Sequence, residues 1–454
     1  MTSWTPTLTP DSGPKYRKLA QAIAQGMSDG DLQPGDRLPT HRELADSLGV
    51  ALTTVTRGYA EAERRGLVVG EVGRGTFVRS WAPCLVSQQG VVADLSANHL
   101  PPRPQAPELF EQIFRRLARG GGRSLLDYQP HRGTDRQVEA GAHWIEREGV
   151  EAHADQVVVT SGVQHAMAVV LASIAEPGDT ILVEELTYCG LRTLARVLHL
   201  NLEAVPIDDE GLIPDALRSA CERGEAKGLY CMPRLQNPTA VTMSDQRRGE
   251  IAEIVLEFGL PVIEDDSYGF LAREALPLSA LLPESYYLCG TSKSVMPGLR
   301  IGFVRAPREM TRKMESVIAA TTYMAPALLA EVTADWILDG TAEKIMQWKR
   351  DEAAARQAMA RTILGPHGYS AHRSSQHGWL RLAEPWSADR FARRSEREGV
   401  LVTPAEEFAA PGVIAPEAVR ICLGPPSDRA TLETGLGILA GILAERPAPR
   451  RLIV

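Results

Sequence analysis

Residues 290–303 read GTSKSVMPGLRIGF, and the fold turns on how this stretch is read. It follows YYLCG (286–290), a short apolar run with the length of a buried strand. Lys293 therefore stands just past a strand end, with Ser292 beside it and Arg300 seven residues later. The flanking Gly, Ser and Pro are not what a solvated surface lysine needs. A lysine held in a dry pocket near other cations sheds its proton easily, and the neutral amine forms Schiff bases with aldehydes. In open parallel sheets, the edge beyond the strand C-termini is where ligands bind.

Working outward, five further strands are expected: QVVVT (156–160), TILVE (180–184), GLYCM (228–232), PVIED (261–265) and RIGFV (300–304). Helix-like stretches separate most of them, which predicts a mainly parallel, doubly wound α/β sheet. Two of these strands also end in polar residues. In VIEDDSYGF (262–270) a hydrophobic run closes on paired acids. Buried carboxylates call for a cation, and a pyridinium nitrogen would suit Asp265; a solvated loop would need no partner. In TSGVQHA (160–166) a small-residue turn opens a helix, so the backbone N–H groups of Gly162, Val163 and Gln164 would face a phosphate. Any βα turn with a glycine reads the same way.

The N-terminal part has a different rhythm. YRKLAQAIAQGM (16–27) places Leu19, Ile23 and Met27 on one helical face. Pro34-Gly35 and Pro39 then break the chain before THRELADSLGV (40–50), where Thr40 and Glu43 form a capping-box pattern and Gly49 ends the helix. A third helix is expected over 53–67, followed by a hairpin in LVVGEVGRGTFV with its tip at Gly73 and Gly75. Helix, helix, turn, helix, hairpin is the order of a winged helix-turn-helix.

Across residues 38–78 this segment resembles the GntR family of bacterial regulators. The resemblance implies an arginine of the second helix on DNA, a third helix in the major groove and a wing in the minor groove. By motif position these are Arg42, Thr53, Thr54, Arg57, Gly73, Arg74 and Gly75. Hydroxyls bind phosphate oxygens and arginine reads guanine edges. Leu52 stands where the family often has arginine, which puts base choice there in doubt.

TSK with PGLRIGF resembles the fold-type I pyridoxal-phosphate enzymes, and residues 93–454 look like an aminotransferase domain. Its fusion to a GntR head resembles the MocR subfamily. The implied organisation is multidomain: a winged helix-turn-helix at 14–80, a linker at 81–92 and a large α/β domain at 93–454. The resemblance implies pyridoxal 5'-phosphate as cofactor, with Lys293 as the Schiff-base lysine and Asp265 on the pyridine nitrogen. Tyr268 and Asn237 (in LQNPTA) would meet the ring hydroxyl, and Tyr188 (in ELTYCG) would stack on the ring. Gly162, Val163, Gln164, Ser292 and Arg300 would hold the phosphate, and Tyr128 (in LDYQPHRG) would reach a neighbouring subunit's phosphate, implying a homodimer. Arg420 (in VRICLG) matches the arginine that takes a substrate carboxylate, although a structural ion pair is the alternative. Departures from the pattern are Gly290 in place of a phosphate-binding serine, Ala240 in place of glycine, and Ala405 in place of a Pro-Gly pair. Asn98, His99 and His377 stand isolated in sequence and are expected to be core or surface residues.

Bulk properties agree with a two-part regulator. The 454-residue chain exceeds one core and is of ordinary globular composition. Its net charge is −8, yet residues 14–80 carry ten Lys/Arg against eight Asp/Glu, a mildly basic head on an acidic body. The six cysteines show no metal-like pairing, no metal site is expected, and no signal peptide or membrane span is legible, so a cytoplasmic protein is expected. The expected function is DNA-binding transcription regulation, with an amine or amino-acid effector displacing Lys293 from the cofactor and two-fold heads reading a double-stranded operator. Two alternatives stay open, a working aminotransferase and a sensor of the vitamin itself; a DNA-binding protein that its large domain merely dimerises is disfavoured because Asn237, Asp265, Tyr268, Lys293 and Arg300 co-occur in order.

Overall fold

The computed structural model describes residues 4, 6, 14–28, 31–32, 36–64, 67–71, 75–78, 90–101, 106–119 and 125–445. It divides the chain into two compact units, Met1–Gln89 and Gly90–Val454.

In the first unit, helix α1 (Lys15–Ser28), α2 (His41–Leu48) and α3 (Leu52–Arg64) precede the antiparallel strands β1 (Val68–Glu71) and β2 (Gly75–Val78). The capping box forms as expected: Glu43 N–H donates to Thr40 Oγ1 at 3.3 Å, and Thr40 N–H donates to Glu43 Oε2 at 2.8 Å. Gly49 ends α2 in the left-handed region at φ 60°. Three residues then lead into α3, the spacing of a helix-turn-helix. Leu19, Ile23, Leu44, Val55 and Tyr59 form the core. Gly58 sits inside α3 because α1 crosses there: a Cβ would lie 2.6 Å from Leu19 Cδ2. The wing is held to the body by Leu38 N–H to Thr76 O and Val78 N–H to Asp36 O, both 2.8 Å.

The second unit starts with the short strand β3 (Ala93–Asp94), followed by α4 (Ala106–Arg119) and α5 (Asp135–Arg147). The central strands are β4 (Val157–Thr160), β5 (Thr180–Glu184), β6 (Asn201–Val205), β7 (Ala226–Cys231), β8 (Val262–Asp265), β9 (Tyr286–Gly290) and β10 (Gly302–Arg305). They form one seven-stranded sheet in the order β4-β10-β9-β8-β7-β5-β6. Helices α6 (Val163–Ile174), α7 (Cys189–Val197), α8 (Pro214–Glu222) and α9 (Asp245–Phe258) fill the early crossovers.

The sheet is parallel except for β10, which runs against both its neighbours. Side-chain periodicity carries no strand direction, so this reversal was not legible. The expected strand at 300–304 also starts two residues late, because Arg300 adopts φ 51° and ends a turn there. The edge strand β6, NLEAV, is only partly buried and lacks the continuous apolar run that marked the others. Ala240 holds the left-handed conformation (φ 59°) that its glycine-bearing counterparts adopt freely, at a cost of about 1–2 kcal/mol.

Helices α10 (Thr311–Thr321), α11 (Ala327–Leu338) and the long α12 (Thr341–Leu364) lead into a four-stranded sheet. Its members are β11 (Tyr369–Ser370), β12 (His377–Arg381), β14 (Thr403–Pro404) and β15 (Ala418–Cys422), in the order β11-β12-β15-β14. Helices α13 (Ala388–Arg397) and α14 (Arg429–Ala444) cover it. Strand β13 (Val400–Leu401) instead pairs with β3, so the start of this unit is folded into its last third. Among the described residues no helix is long and apolar enough to cross a membrane.

Candidate functional site

The reversed strand builds the site. Gly290 at the end of β9 pairs with Gly302 at the start of β10, and Gly302 pairs with Thr160 at the end of β4. The turns carrying Gly162, Ser292, Lys293 and Arg300 therefore meet at one sheet edge. Gly162 has φ 87° and caps α6, and a Cβ on it would lie 2.8 Å from Arg300 Nη2. Arg300 Nη1 donates to Ser292 Oγ at 3.0 Å. A helix N-terminus, a bare glycine and a guanidinium thus form one anion-sized cradle. Gln164 turns aside, its amide donating to Gly190 O at 3.1 Å. A Cβ on Gly290 would lie 2.9 Å from both Ile301 O and Val163 Cγ2, so a serine there would require its neighbours to shift.

Lys293 is deep in this edge. Burial, with repulsion from Arg420 and Arg300, pushes its amine down to about 8. Its Nζ donates to Asn98 O, and its own carbonyl accepts from Lys349 Nζ at 2.7 Å. Lys349, fully buried on α12, is pushed down by burial and by Lys293 to about 7. Asp265 closes β8 and accepts from Tyr230 Oη at 2.9 Å and from Ser267 Oγ at 2.6 Å. Burial raises its pKa against these donors, and no cation lies within ion-pair distance among the described residues. Next to it, Asp266 is a structural acid: buried Arg234 grips it through Nε at 3.0 Å and also through Nη2, which in turn reaches Glu148 at 3.2 Å.

Arg420 reaches the site from β15. Its Nη1 donates to Asn237 Oδ1 at 2.8 Å and its Nη2 to Ser96 O at 2.6 Å, while the guanidinium lies 4.7 Å over the Phe408 ring. Ala405, the third departure, is fully buried in the turn that leads to Phe408. Arg420 Nε is buried without a partner, and no carboxylate pairs with this arginine among the described residues. The structural ion pair weighed from sequence is absent from those residues. Tyr188, half-buried at the start of α7, lies within the electrostatic reach of Arg420, Arg300 and Asp265.

Three residues that stood isolated in sequence behave differently. Asn98 and His377 enter the site: Asn98 Nδ2 donates to Tyr268 Oη at 3.0 Å and approaches His377 Nδ1 at 3.2 Å. His99 stays peripheral, its Nδ1 3.4 Å from Leu100 O. Tyr128, by contrast, is 77% exposed and meets Tyr323, ring centroids 5.0 Å apart, rather than any of these groups.

In the first unit, Arg42 and Thr53 are exposed, Thr54 is partly exposed, and Leu52 is 44% exposed at the start of α3. Arg57 packs 4.5 Å over the Tyr16 ring. Gly75 adopts φ 123° under the Arg37 guanidinium. Gly73, Arg74 and residues 81–89 of the expected linker lie outside the described residues.

Comparison with known proteins gives the same two parts. Residues 91–439 match the family model for aminotransferase class I and II, and residues 15–78 match that for bacterial regulatory proteins of the gntR family. An uncharacterized HTH-type transcriptional regulator of Bacillus subtilis is 31% identical over 97% of both chains. A vitamin B6 salvage pathway transcriptional repressor of Salmonella typhimurium is 26% identical over 92% of this chain and 96% of its own. Among solved structures, an archaeal alanine:glyoxylate aminotransferase matches at TM-score 0.71 and 25% identity, covering 77% of this chain and 90% of that one. The class I and II aminotransferase fold is that of pyridoxal-phosphate-dependent proteins. The chain belongs to this aminotransferase family and carries a GntR-type helix-turn-helix in front of it, the MocR architecture.

Proposed function

We infer that the protein is a pyridoxal-phosphate-dependent, DNA-binding transcription regulator whose large domain senses an amino acid at Lys293. One observation carries this reading: Arg420 is a buried guanidinium with no carboxylate partner among the described residues, within electrostatic reach of the partly buried Lys293. Burying a charge is costly unless something compensates it, and a planar carboxylate fits the guanidinium fork.

The residues present fit the cofactor. The Gly162 cradle with Arg300 and Ser292 takes a phosphate, with Val163 and Gln164 offering backbone N–H groups. Asp265 has no cation at ion-pair distance among the described residues and would take a protonated ring nitrogen, which Tyr230 and Ser267 would help it hold as an anion. Tyr188 would cover the ring, and Tyr268 and Asn237 would face its hydroxyl. When bound, pyridoxal phosphate supplies an aldehyde that amines can share. Lys293, whose amine burial keeps easily deprotonated, would be the residue that ties the cofactor to the chain and that an amine effector would compete with. Arg420 meanwhile exchanges Ser96 O and Asn237 for the effector's carboxylate. The effector moves the DNA heads only as far as its affinity differs between two states.

The organisation we propose is a head at 14–80, a linker at 81–92 and a sensor at 93–454, in a cytoplasmic homodimer. Leu126 at 89% exposed and Tyr128 at 77% make an apolar surface suited to a second copy, with Tyr128 reaching the partner's phosphate cradle. Arg42, Thr53, Thr54, Arg57 and the wing at Gly73, Arg74 and Gly75 face double-stranded operator DNA, Arg57 after leaving Tyr16.

The test is a panel of amino acids and their decarboxylated amines, scored by cofactor absorbance and by binding to duplexes selected from random DNA. Amino acids are expected to act at roughly 10- to 100-fold lower concentration, the worth of hydrogen bonds to a charged group. Equal potency of the amines would sink the role of Arg420. A second reading, sensing of the vitamin itself, is favoured by the likeness to the vitamin B6 salvage repressor. It predicts that Arg420→Gln leaves regulation intact. Rapid conversion of an amino acid with an oxo-acid would instead favour a working aminotransferase.

Capture of the cofactor should follow the protonation of Lys293. The neutral amine is the nucleophile, so the capture rate of the cofactor-free protein rises about tenfold per pH unit and levels above about 8. Stopped-flow absorbance over a pH series checks this. A plateau reached only near the ordinary lysine range would show that burial does not lower the amine.

A further inference from the structure

We propose that Asn98 is a positioning residue that fixes the polarity of Tyr268, making its hydroxyl a hydrogen-bond donor toward the cofactor ring. The proposal rests on the placement of Tyr268 given above. Its logic starts at a group with no choice. The main-chain carbonyl of Gln236 can only accept, and His377 Nε2 lies 3.0 Å from it, so Nε2 carries the hydrogen. His377 is fully buried, and burial beside Arg420 pushes it down to about 3. The ring is therefore neutral and its Nδ1 is bare.

A bare Nδ1 accepts; Asn98 Nδ2 faces it at 3.2 Å, nearer than the Ser375 hydroxyl at 3.4 Å. At the other end of that amide, Oδ1 accepts from Gln376 Nε2 at 2.9 Å. Both contacts orient the amide the same way. Its second N–H points at Tyr268 Oη, 3.0 Å off, so the tyrosine oxygen is an acceptor in this contact. The single Tyr268 hydrogen must then go elsewhere. Arg420, Tyr188, Asp265, Cys422 and His377 are the charged and titratable groups around it, and no described residue takes that hydrogen. It is left for the ring oxygen. A donor there stabilises negative charge on the ring and loosens the proton on the adjoining nitrogen supplied by Lys293.

The experiment uses the full-length chain loaded with pyridoxal phosphate and reads the pH midpoint of its visible absorbance change. Asn98→Asp presents only acceptors to Tyr268 when ionised and captures its hydrogen. The midpoint is expected to rise about one pH unit, tenfold in proton affinity, as it does in Tyr268→Phe. In the Tyr268→Phe background, Asn98→Asp should add clearly less. Added charge alone would raise the midpoint equally in both backgrounds, and that result overturns the proposal. So does an unmoved midpoint in Asn98→Asp while Tyr268→Phe shifts. A midpoint indifferent to Tyr268→Phe overturns the placement of Tyr268 itself, and the proposal with it. If Asn98→Asp fails to fold or to bind cofactor, Asn98→Ser carries the test. A rise confined to the background that keeps Tyr268 supports the proposal, and no rise overturns it.

Discussion

Lys293→Ala should bind pyridoxal phosphate without the covalent tie, lose its characteristic visible absorbance, and no longer change its DNA affinity when an amino acid is added. Couplings between sites are typically about 1–3 kcal/mol, or roughly 5- to 150-fold in affinity, and the whole of this should vanish. Basal DNA binding should survive, because the helix-turn-helix has its own core of Leu19, Ile23, Leu44 and Val55. Mobility-shift titrations with and without the amino acid separate the two effects. An effector response that persists in Lys293→Ala would mean that the amine is sensed without displacing the lysine. The buried neighbour Lys349 makes this comparison sharper: it touches only the Lys293 carbonyl in the described hydrogen bonds and would remain in place.

The largest loss of stability is expected from Arg234→Met. Arg234 is buried with Asp266 and Glu148 on its guanidinium, and it also donates to Ala275 O at 3.0 Å. Removing the cation leaves buried Asp266 with only the Tyr287 hydroxyl among the described residues and Glu148 with Arg273 alone, at a cost of about 3–5 kcal/mol. The pH dependence identifies the cause. Burial already raises the pKa of Glu148 and Asp266 against the pull of Arg234, and without the arginine both rise further. A carboxyl with a raised folded pKa favours the folded state at low pH and loses that advantage as pH rises through the folded value. The deficit should therefore be largest at neutral and higher pH and shrink toward the ordinary carboxylate range. Urea denaturation at several pH values measures it. A deficit independent of pH would trace the loss to packing rather than to charge.

The sequence was most readable where local chemistry and chain geometry coincide. Thr40, Glu43 and Gly49 announce the ends of α2 because caps are local. Lys293, Asp265 and Gly162 could be picked out because each lies just past a buried strand, and strand ends share one edge in a doubly wound sheet. What stayed hidden was long-range. Asn98 meets His377 across 279 positions, and nothing near either residue hints at the other. Lys349 looks like any lysine of a long amphipathic helix until the fold buries it. Tyr230 reads as strand filler until its hydroxyl is found on Asp265. The small-domain strands β11, β13 and β14, two residues each, are too short to carry a period. Arg300 was legible as a residue but not as a left-handed turn, which is what aims it at Gly162.

The folding of β3 against β13 brings residues 96 and 98 beside Arg420 and Lys293. Ser96 O holds Arg420, and Asn98 O holds Lys293. These two carbonyls lie just after β3, near the start of the second unit. On the function proposed above, an incoming amine would return Lys293 Nζ to the Asn98 carbonyl and a carboxylate would draw Arg420 off the Ser96 carbonyl, so a molecule bearing both groups would change both contacts together. On that reading the stretch would act as a two-key lock, answering to the coincidence of two functional groups rather than to the strength of either.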